Sequence, residues 1–406
     1  MGAVLHVRRL LLVLFAFGVV VAPIAVTTAP AGATSQSWVV DPTPDPGTMN
    51  FFNGVSCVTP DRCTAVGTHL VGAHWLTLVA TWNGTAWATI ASPNPGTSDH
   101  SLHSVSCTSA SFCMAVGEYW VGASLETLTL AWDGTAWSTV PSPTGYYGVN
   151  LAGVSCATPT SCNAVGYYYD GTRDTTIALT WDGTTWTVVA SPNAGPSWSY
   201  LASISCTSTT SCMAVGQYET GSGYAPQAMT WDGTTWTLTA AVAPTSVADN
   251  VLGVSCATAS WCVAVGNYFN GSNSELRVFA WNGSTWSNTS PASSSSIDQS
   301  LNSVSCVSTL QCTAVGNRYD GTSRNATFVL EWDGSRWNDA TTPNGNAGSQ
   351  DLRSISCTTA NDCTTVGITV ESGVIATLAL RGFGDPSPTT TTTTAAADPV
   401  VPAFTG

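Results

Sequence analysis

One pattern recurs seven times in this chain and limits its fold more than any other feature. In the copy from Ser203 to Trp236 it reads Ser-Ile-Ser-Cys206, five residues, Cys212-Met-Ala-Val-Gly216, a variable stretch, then Ala-Met-Thr-Trp231-Asp-Gly-Thr-Thr-Trp236. The first cysteines of the copies are Cys57, Cys107, Cys156, Cys206, Cys256, Cys306 and Cys357, at successive intervals of 50, 49, 50, 50, 50 and 51 residues. A fixed period of this size marks a solenoid, a propeller or an array of repeats.

Each unit has room for four short strands. The first is the Ser-Val-Ser-Cys segment, and the second is Cys-x-Ala-Val-Gly with the residues after it. The third is the apolar run ending in the first tryptophan, as in Leu128-Thr-Leu-Ala-Trp132, and the fourth opens at the second tryptophan, as in Trp137-Ser-Thr-Val140. Short apolar runs bounded by turn signals suit strands covered on both faces, as in the blades of a propeller. The expected fold is all-β: a seven-bladed β-propeller of four-stranded blades over residues 34–384.

Six copies place Asn-Gly or Asp-Gly between the two tryptophans. That pair suits a two-residue type I′ hairpin, which would leave the tryptophans diagonal on one side of the blade. A four-residue loop would pair them directly; in either case they are expected to pack between blades. The seventh copy lacks the motif and runs Arg381-Gly-Phe-Gly384 instead. Trp38 lies 19 residues before Cys57, matching the spacing of the second tryptophans elsewhere. Ser37-Trp38-Val39-Val40 is therefore expected to supply the fourth strand of blade seven and close the ring, leaving no free sheet edge.

The fourteen cysteines form Cys57/Cys63, Cys107/Cys113, Cys156/Cys162, Cys206/Cys212, Cys256/Cys262, Cys306/Cys312 and Cys357/Cys363, one pair per copy. Zinc would need further ligands, and five of the copies contain no histidine; a redox pair would ordinarily be spaced by two residues. Disulfides within each copy are expected. Arg8-Arg9, the apolar run Leu10 to Val21 and Ala31-Gly32-Ala33 read as a signal peptide over residues 1–33, so a secreted, extracellular protein is expected. Residues 385–406, rich in threonine and proline, read as a disordered tail.

The net charge is −14, with no lysine and ten arginines, so no basic face is available for nucleic acid. No apolar run beyond the leader is long enough to span a membrane, and a monomer is expected.

The repeat, Ser-Val-Ser-Cys…Cys-x-Ala-Val-Gly…Trp-Asp/Asn-Gly-x-x-Trp, resembles the largely uncharacterised secreted propeller repeats of actinobacteria, over residues 34 to about 384. That resemblance implies the propeller fold and supplies no activity. A weaker likeness is to the Asp-box turns of sialidases, where aspartate and glycine are one residue further apart than in Asp182-Gly183.

Four-stranded blades put the cysteine hairpins and tryptophan turns at one end of the ring. The strand two–three loops and the blade connections fall at the other end, where the copies vary, and variable loops on a rigid scaffold usually carry function. Three groups of residues stand out there. His69, His74, His100 and His103, with Asp99, could hold a divalent metal. Tyr119-Trp120, Tyr146-Tyr147, Tyr167-Tyr168-Tyr169, Trp198, Tyr200, Tyr218, Tyr268-Phe269 and Tyr319, with Asp170, Glu219, Asn267 and Asp320 nearby, suit sugar stacking and hydrogen bonding or a protein partner. Arg318, Arg324 and Arg353 could converge on an anion.

No serine–histidine–aspartate arrangement or phosphate loop is found, and no catalytic residue is assigned. Asp170, Asp174, Glu219, Glu275 and Asp320 could oppose one another across the channel as a glycosidase pair. The expected function is non-catalytic binding of carbohydrate or a cell-surface partner through the variable-loop face; the alternatives are a protein-interaction scaffold and, after it, a sialidase-like glycosidase or lyase using channel carboxylates, with no obligatory cofactor.

Overall fold

The computed structural model describes residues 36–239, 249–291, 297–322, 324–344 and 348–384. The expected signal peptide and C-terminal tail lie outside the described residues. Seven four-stranded antiparallel sheets stand around a central channel, each ordered one-two-three-four from the inside outward. Blade one runs from Asn50 to Thr89, two from His100 to Thr139, three from Tyr147 to Val189 and four from Ser199 to Leu238. Blade five spans Asp249 to Asn288 and blade six Gln299 to Ala340. Blade seven takes Ser349 to Gly384 and is completed by Gln36–Asp41.

That N-terminal strand pairs antiparallel with Val374–Gly384 of blade seven, Trp38 opposite Gly382 and Val40 opposite Leu380. Gly382 occupies the place of the first tryptophan. A side chain there would collide with Gln36 and with the Trp38 indole. Asp41 and Arg381 form an ion pair across the join, and Arg381 lies 4.1 Å over the Trp82 ring of blade one. The seam is thus sealed by burial, charge and a cation–π contact together.

All seven cysteine pairs are disulfides across the hairpin of strands one and two: Cys57–Cys63, Cys107–Cys113, Cys156–Cys162, Cys206–Cys212, Cys256–Cys262, Cys306–Cys312 and Cys357–Cys363. Such bridges are typical of oxidising compartments. The two cysteines of each pair differ in burial. Cys63, Cys113, Cys162, Cys212, Cys262, Cys312 and Cys363 are all buried, at 1–4 % exposed, whereas their partners on strand one are half-buried. The reason is position: strand two is covered on both faces by neighbouring blades, so its sulfur is core. Cys63 packs with Phe52 and Trp82, Cys113 with Leu102 and Trp137, Cys162 with Trp181 and Trp186, and Cys262 with Phe279 and Trp281.

The indole N–H of the first tryptophan donates to a carbonyl of the same hairpin in blades two, three, four and six, for example Trp181 to Pro159 at 3.2 Å. The tryptophans pack between blades as expected: Trp181 and Trp186 of blade three share a buried cluster with Met114 and Val116 of blade two.

The type I′ expectation for the tryptophan turns does not hold. Trp181 pairs directly with Trp186 across a four-residue loop, their rings 5.7 Å apart and tilted by 46°. The physical reason is the side chain of the first loop residue. The Asp182 carboxylate accepts from the N–H groups of Thr184 and Thr185 and from the Thr184 hydroxyl. This fixes an Asx turn, and only Gly183 takes positive φ, at +100°.

Strand one explains the Ser-x-Ser-Cys motif. The second serine of every blade accepts a hydrogen bond from the cysteine N–H of the next blade, Ser56 from Cys107, Ser106 from Cys156 and so on to Ser356 from Cys57, at 2.9–3.0 Å. These seven bonds circle the channel. The first small position alternates between Gly54, Ser104, Gly153, Ser203, Gly253, Ser303 and Ser354. The four serines accept from the next blade's N–H at 3.1–3.3 Å. At Gly54 and Gly253 the neighbouring backbone comes too close for a side chain; a Cβ on Gly253 would lie 2.9 Å from the Ser303 Cα.

Candidate functional site

The site is organised by a β-bulge. In every innermost strand one residue has no partner in the register, just before the Gly/Ser position: Asn53, His103, Ala152, Ala202, Leu252, Asn302 and Arg353. A bulge re-aims its side chain, and these seven are half-buried on the strands that line the channel. The ring they form has two unlike halves. Blades six, seven, one and two contribute Asn302, Arg353, Asn53 and His103; blades three, four and five contribute two alanines and a leucine.

The polar half is hydrogen-bonded from blade to blade. Asn302 and Asn317 both donate to Asp351 Oδ1 at 2.8 Å. Arg353 reaches Asp351 at 3.4 Å and Asn53 at 2.8 Å, and Asn53 donates to the Leu102 carbonyl. His103 Nε2 lies 2.5 Å from Glu118 Oε2, which also accepts from Asn150 at 2.9 Å. Beyond Asn150, Tyr167 and Tyr200 meet edge to face at 4.9 Å. Burial, then the Glu118 and Asp174 carboxylates, raise the Tyr167 phenol above its ordinary range. Burial and Asp174 do the same for Tyr200. Both phenols therefore stay protonated donors at neutral pH.

Exposed rings gather on the loop-bearing end. Trp120, Tyr147, Tyr169, Trp198 and Phe269 are each 41–69 % exposed, and all lie on the loop-bearing end over blades two to five. No other aromatic side chain among the described residues is as exposed.

The sequence-derived candidates fare unevenly. The four histidines are not gathered: His100 is buried with Nε2 2.6 Å from the Pro95 carbonyl, His103 faces Glu118, and His74 sits 3.6 Å from Asp99. Burial lowers the pKa of His69 below its ordinary value. Among the described residues no three His, Cys, Asp or Glu side chains converge as metal ligands. The cysteines add no reactive group, since Cys63, Cys113, Cys162 and Cys262, like the other ten, are oxidised and carry no thiolate to bind or attack. Asp170 and Asp320 are turn formers, each accepting from the N–H and hydroxyl two residues on. Glu275 accepts from Tyr268 and Asn270. None of these three contributes a free carboxylate facing the channel.

Among the aromatics, Tyr119 stacks on His100 at 5.7 Å, and Tyr168 packs edge-on to Tyr146 at 5.0 Å. Tyr268 lies under the Arg277 guanidinium at 3.8 Å, above a buried Arg277–Asp249 pair. Tyr218 presses on the backbone at Gly195. The amides of Glu219 and Tyr319 tie strand two to the blade connections. Of the aromatics expected on that face, Trp120, Tyr147, Tyr169, Trp198 and Phe269 are exposed and the others are half-buried. The arginines do not converge: Arg318 covers Phe328 and pairs with Asp339, Arg324 caps the Asp320 turn through its backbone, and Arg353 belongs to the channel network. What sequence reasoning missed is the bulge ring. Nothing in the alternation of the strand marks the inserted residue; only its wide variation between copies, from alanine to arginine, sets it apart from its neighbours.

No protein-family profile matches this chain, and no curated protein matches it in sequence. Solved structures with the same architecture do. YCF48 bound to D1 peptide superposes with a TM-score of 0.55 at 14 % identity, over 86 % of this chain and 97 % of that one. YCF48 from Cyanidioschyzon merolae gives 0.52 at 14 % identity, over 85 % and 98 %. An ulvan lyase of polysaccharide lyase family PL25, bound to -[GlcA(1-4)Rha3S]-, gives 0.50 at 9 % identity, over 85 % and 94 %. At such identities the likeness defines a propeller and nothing finer.

Proposed function

We propose that this is a secreted, monomeric carbohydrate-binding propeller that holds neutral glycan over blades two to five of its loop-bearing face. The confinement of all five exposed aromatic rings to that face carries the reading. Flat rings beside convergent amides, phenols and a carboxylate match the alternating apolar and hydroxyl faces of a sugar. The net charge of −14 disfavours polyanions. The neighbours' own ligands, a peptide for one and a saccharide for the other, favour neither class.

A glycan array followed by calorimetry tests this. Tyr169→Ala with Trp198→Ala is expected to weaken the best array ligand by about tenfold or more, since each stacking ring contributes on the order of 1 kcal/mol. An empty array with a protein captured instead would replace the reading with a protein-interaction scaffold. His103, Glu118 and the protonated Tyr167 favour a second reading, glycan cleavage by acid–base catalysis at the channel mouth. Turnover of glycan substrates that is lost in His103→Ala and Tyr167→Phe would establish it.

A further inference from the structure

At the opposite end, among the cysteine hairpins, four of the blade interfaces are filled in different ways. Each interface sets the tryptophans of one blade against strands two and three of the blade before it. Between blades two and three, Phe112 and Met114 fill the space before Trp181 and Trp186. Between five and six, Trp261 and Val263 pack against Trp332 and Trp337. Between seven and one, the Arg381 guanidinium covers Trp82. Between six and seven, Gln36 and Glu331 leave a gap of about 20 Å³.

Between blades one and two the filler is missing at both positions, which are Thr64 and Thr81, and the hairpin residue is Arg62. A cleft of about 250 Å³ opens there in front of Trp132 and Trp137. Trp132, like Trp332, is half-buried, whereas Trp82, Trp181, Trp231 and Trp281 at the same position are buried.

The lining has a definite chemistry. Arg62 is exposed and forms no ion pair with a described residue, while Arg173, Arg277, Arg318, Arg336, Arg353 and Arg381 are all paired. Beside it Asp61 is held below the usual carboxylate range by the Thr59 hydroxyl at 2.6 Å and its own amide. A carboxylate next to a guanidinium leaves the cleft with no net charge to draw in a simple anion or cation. Donor and acceptor side by side instead suit neighbouring hydroxyl groups, each of which gives and takes a hydrogen bond. The volume lies below the roughly 300–1,000 Å³ of sites for drug-sized ligands, which fits a single ring.

We infer that the blade one–blade two cleft is a binding site for one neutral monosaccharide unit, stacked on Trp132 with its hydroxyls bonded to Asp61 and Arg62. It is separate from the loop-bearing face and does not depend on what that face binds. The test is saturation-transfer NMR and calorimetry with methyl glycosides of glucose, galactose, mannose, fucose and N-acetylglucosamine, with glucuronate and free tryptophan alongside. The key variant is Thr64→Met, which copies the filler of blade two and closes the cleft with a side chain the repeat already accommodates; Arg62→Gln is the second.

At least one neutral glycoside is expected to bind, about tenfold or more weaker in Thr64→Met and weaker in Arg62→Gln. Its affinity should be unchanged in the Tyr169→Ala/Trp198→Ala protein. No bound glycoside, full binding in a folded Thr64→Met protein, or binding of glucuronate or tryptophan alone would overturn the inference. Loss in the loop-face variant only would assign that sugar to the loop face and leave the cleft without its ligand.

Discussion

Asp133 and Asp182 show how much of this molecule rests on single side chains. Each carboxylate gathers two N–H groups and a hydroxyl of its turn, and its pKa is lowered to about 2 from 3.8, mainly by the backbone N–H of Ala136 or Thr185. A carboxyl more acidic in the folded state stabilises that state above the unfolded value of 3.8, and the contribution is lost as pH falls through about 2. Blades one and five use Asn83 and Asn282 for the same contacts without a titrating proton. The urea midpoint of the native protein should therefore fall more steeply between about pH 4 and pH 2 than that of Asp133→Asn/Asp182→Asn. Parallel curves would refute this account. The same chemistry was legible at Asp170 and Asp320, because Asp170-Gly-Thr and Asp320-Gly-Thr repeat Asp182-Gly-Thr. Their aromatic neighbours drew the sugar-binding reading instead.

Strand one is the element on which blade spacing depends. Its serines make no bond within their own sheet that the periodicity would reveal; their partners lie about fifty residues on, in the next blade. That is why the strand could be placed from sequence while the purpose of its serines could not. Ser205→Ala removes the acceptor for the Cys256 N–H, which should cost about 1 kcal/mol, read as a lowered denaturant midpoint with an unchanged slope. Unaltered stability would mean that water replaces the hydroxyl. The bulge escaped detection for a related reason: alternation in a strand forecasts which face a residue takes, and one inserted residue resets that alternation without leaving a signal of its own.

As a whole molecule the propeller was legible because a repeat gives the count of blades, the cysteines tie each hairpin, and Trp38 sits at the spacing that blade seven lacks. The ring holds only if its ends do. Trp38 is buried, 6 % exposed, against Val315 and Val329 of blade six. Trp38→Ala should cost about 3–5 kcal/mol and broaden the unfolding transition as blade seven loosens before the rest. A loss under about 1 kcal/mol, with a transition as sharp as before, would show that the other contacts at the seam hold the ring closed without it. The specificity-bearing surfaces were less legible, since they are formed by what each blade omits as much as by what it carries.

The alternation of Gly54, Ser104, Gly153, Ser203, Gly253, Ser303 and Ser354 has an arithmetical consequence. A two-beat pattern cannot close on an odd number, so one join must repeat a beat, and here it falls between Ser303 and Ser354. A circle of six or eight could be tiled by identical twins; seven leaves one member over. This chain keeps its unmatched member where its own beginning and end are spliced together.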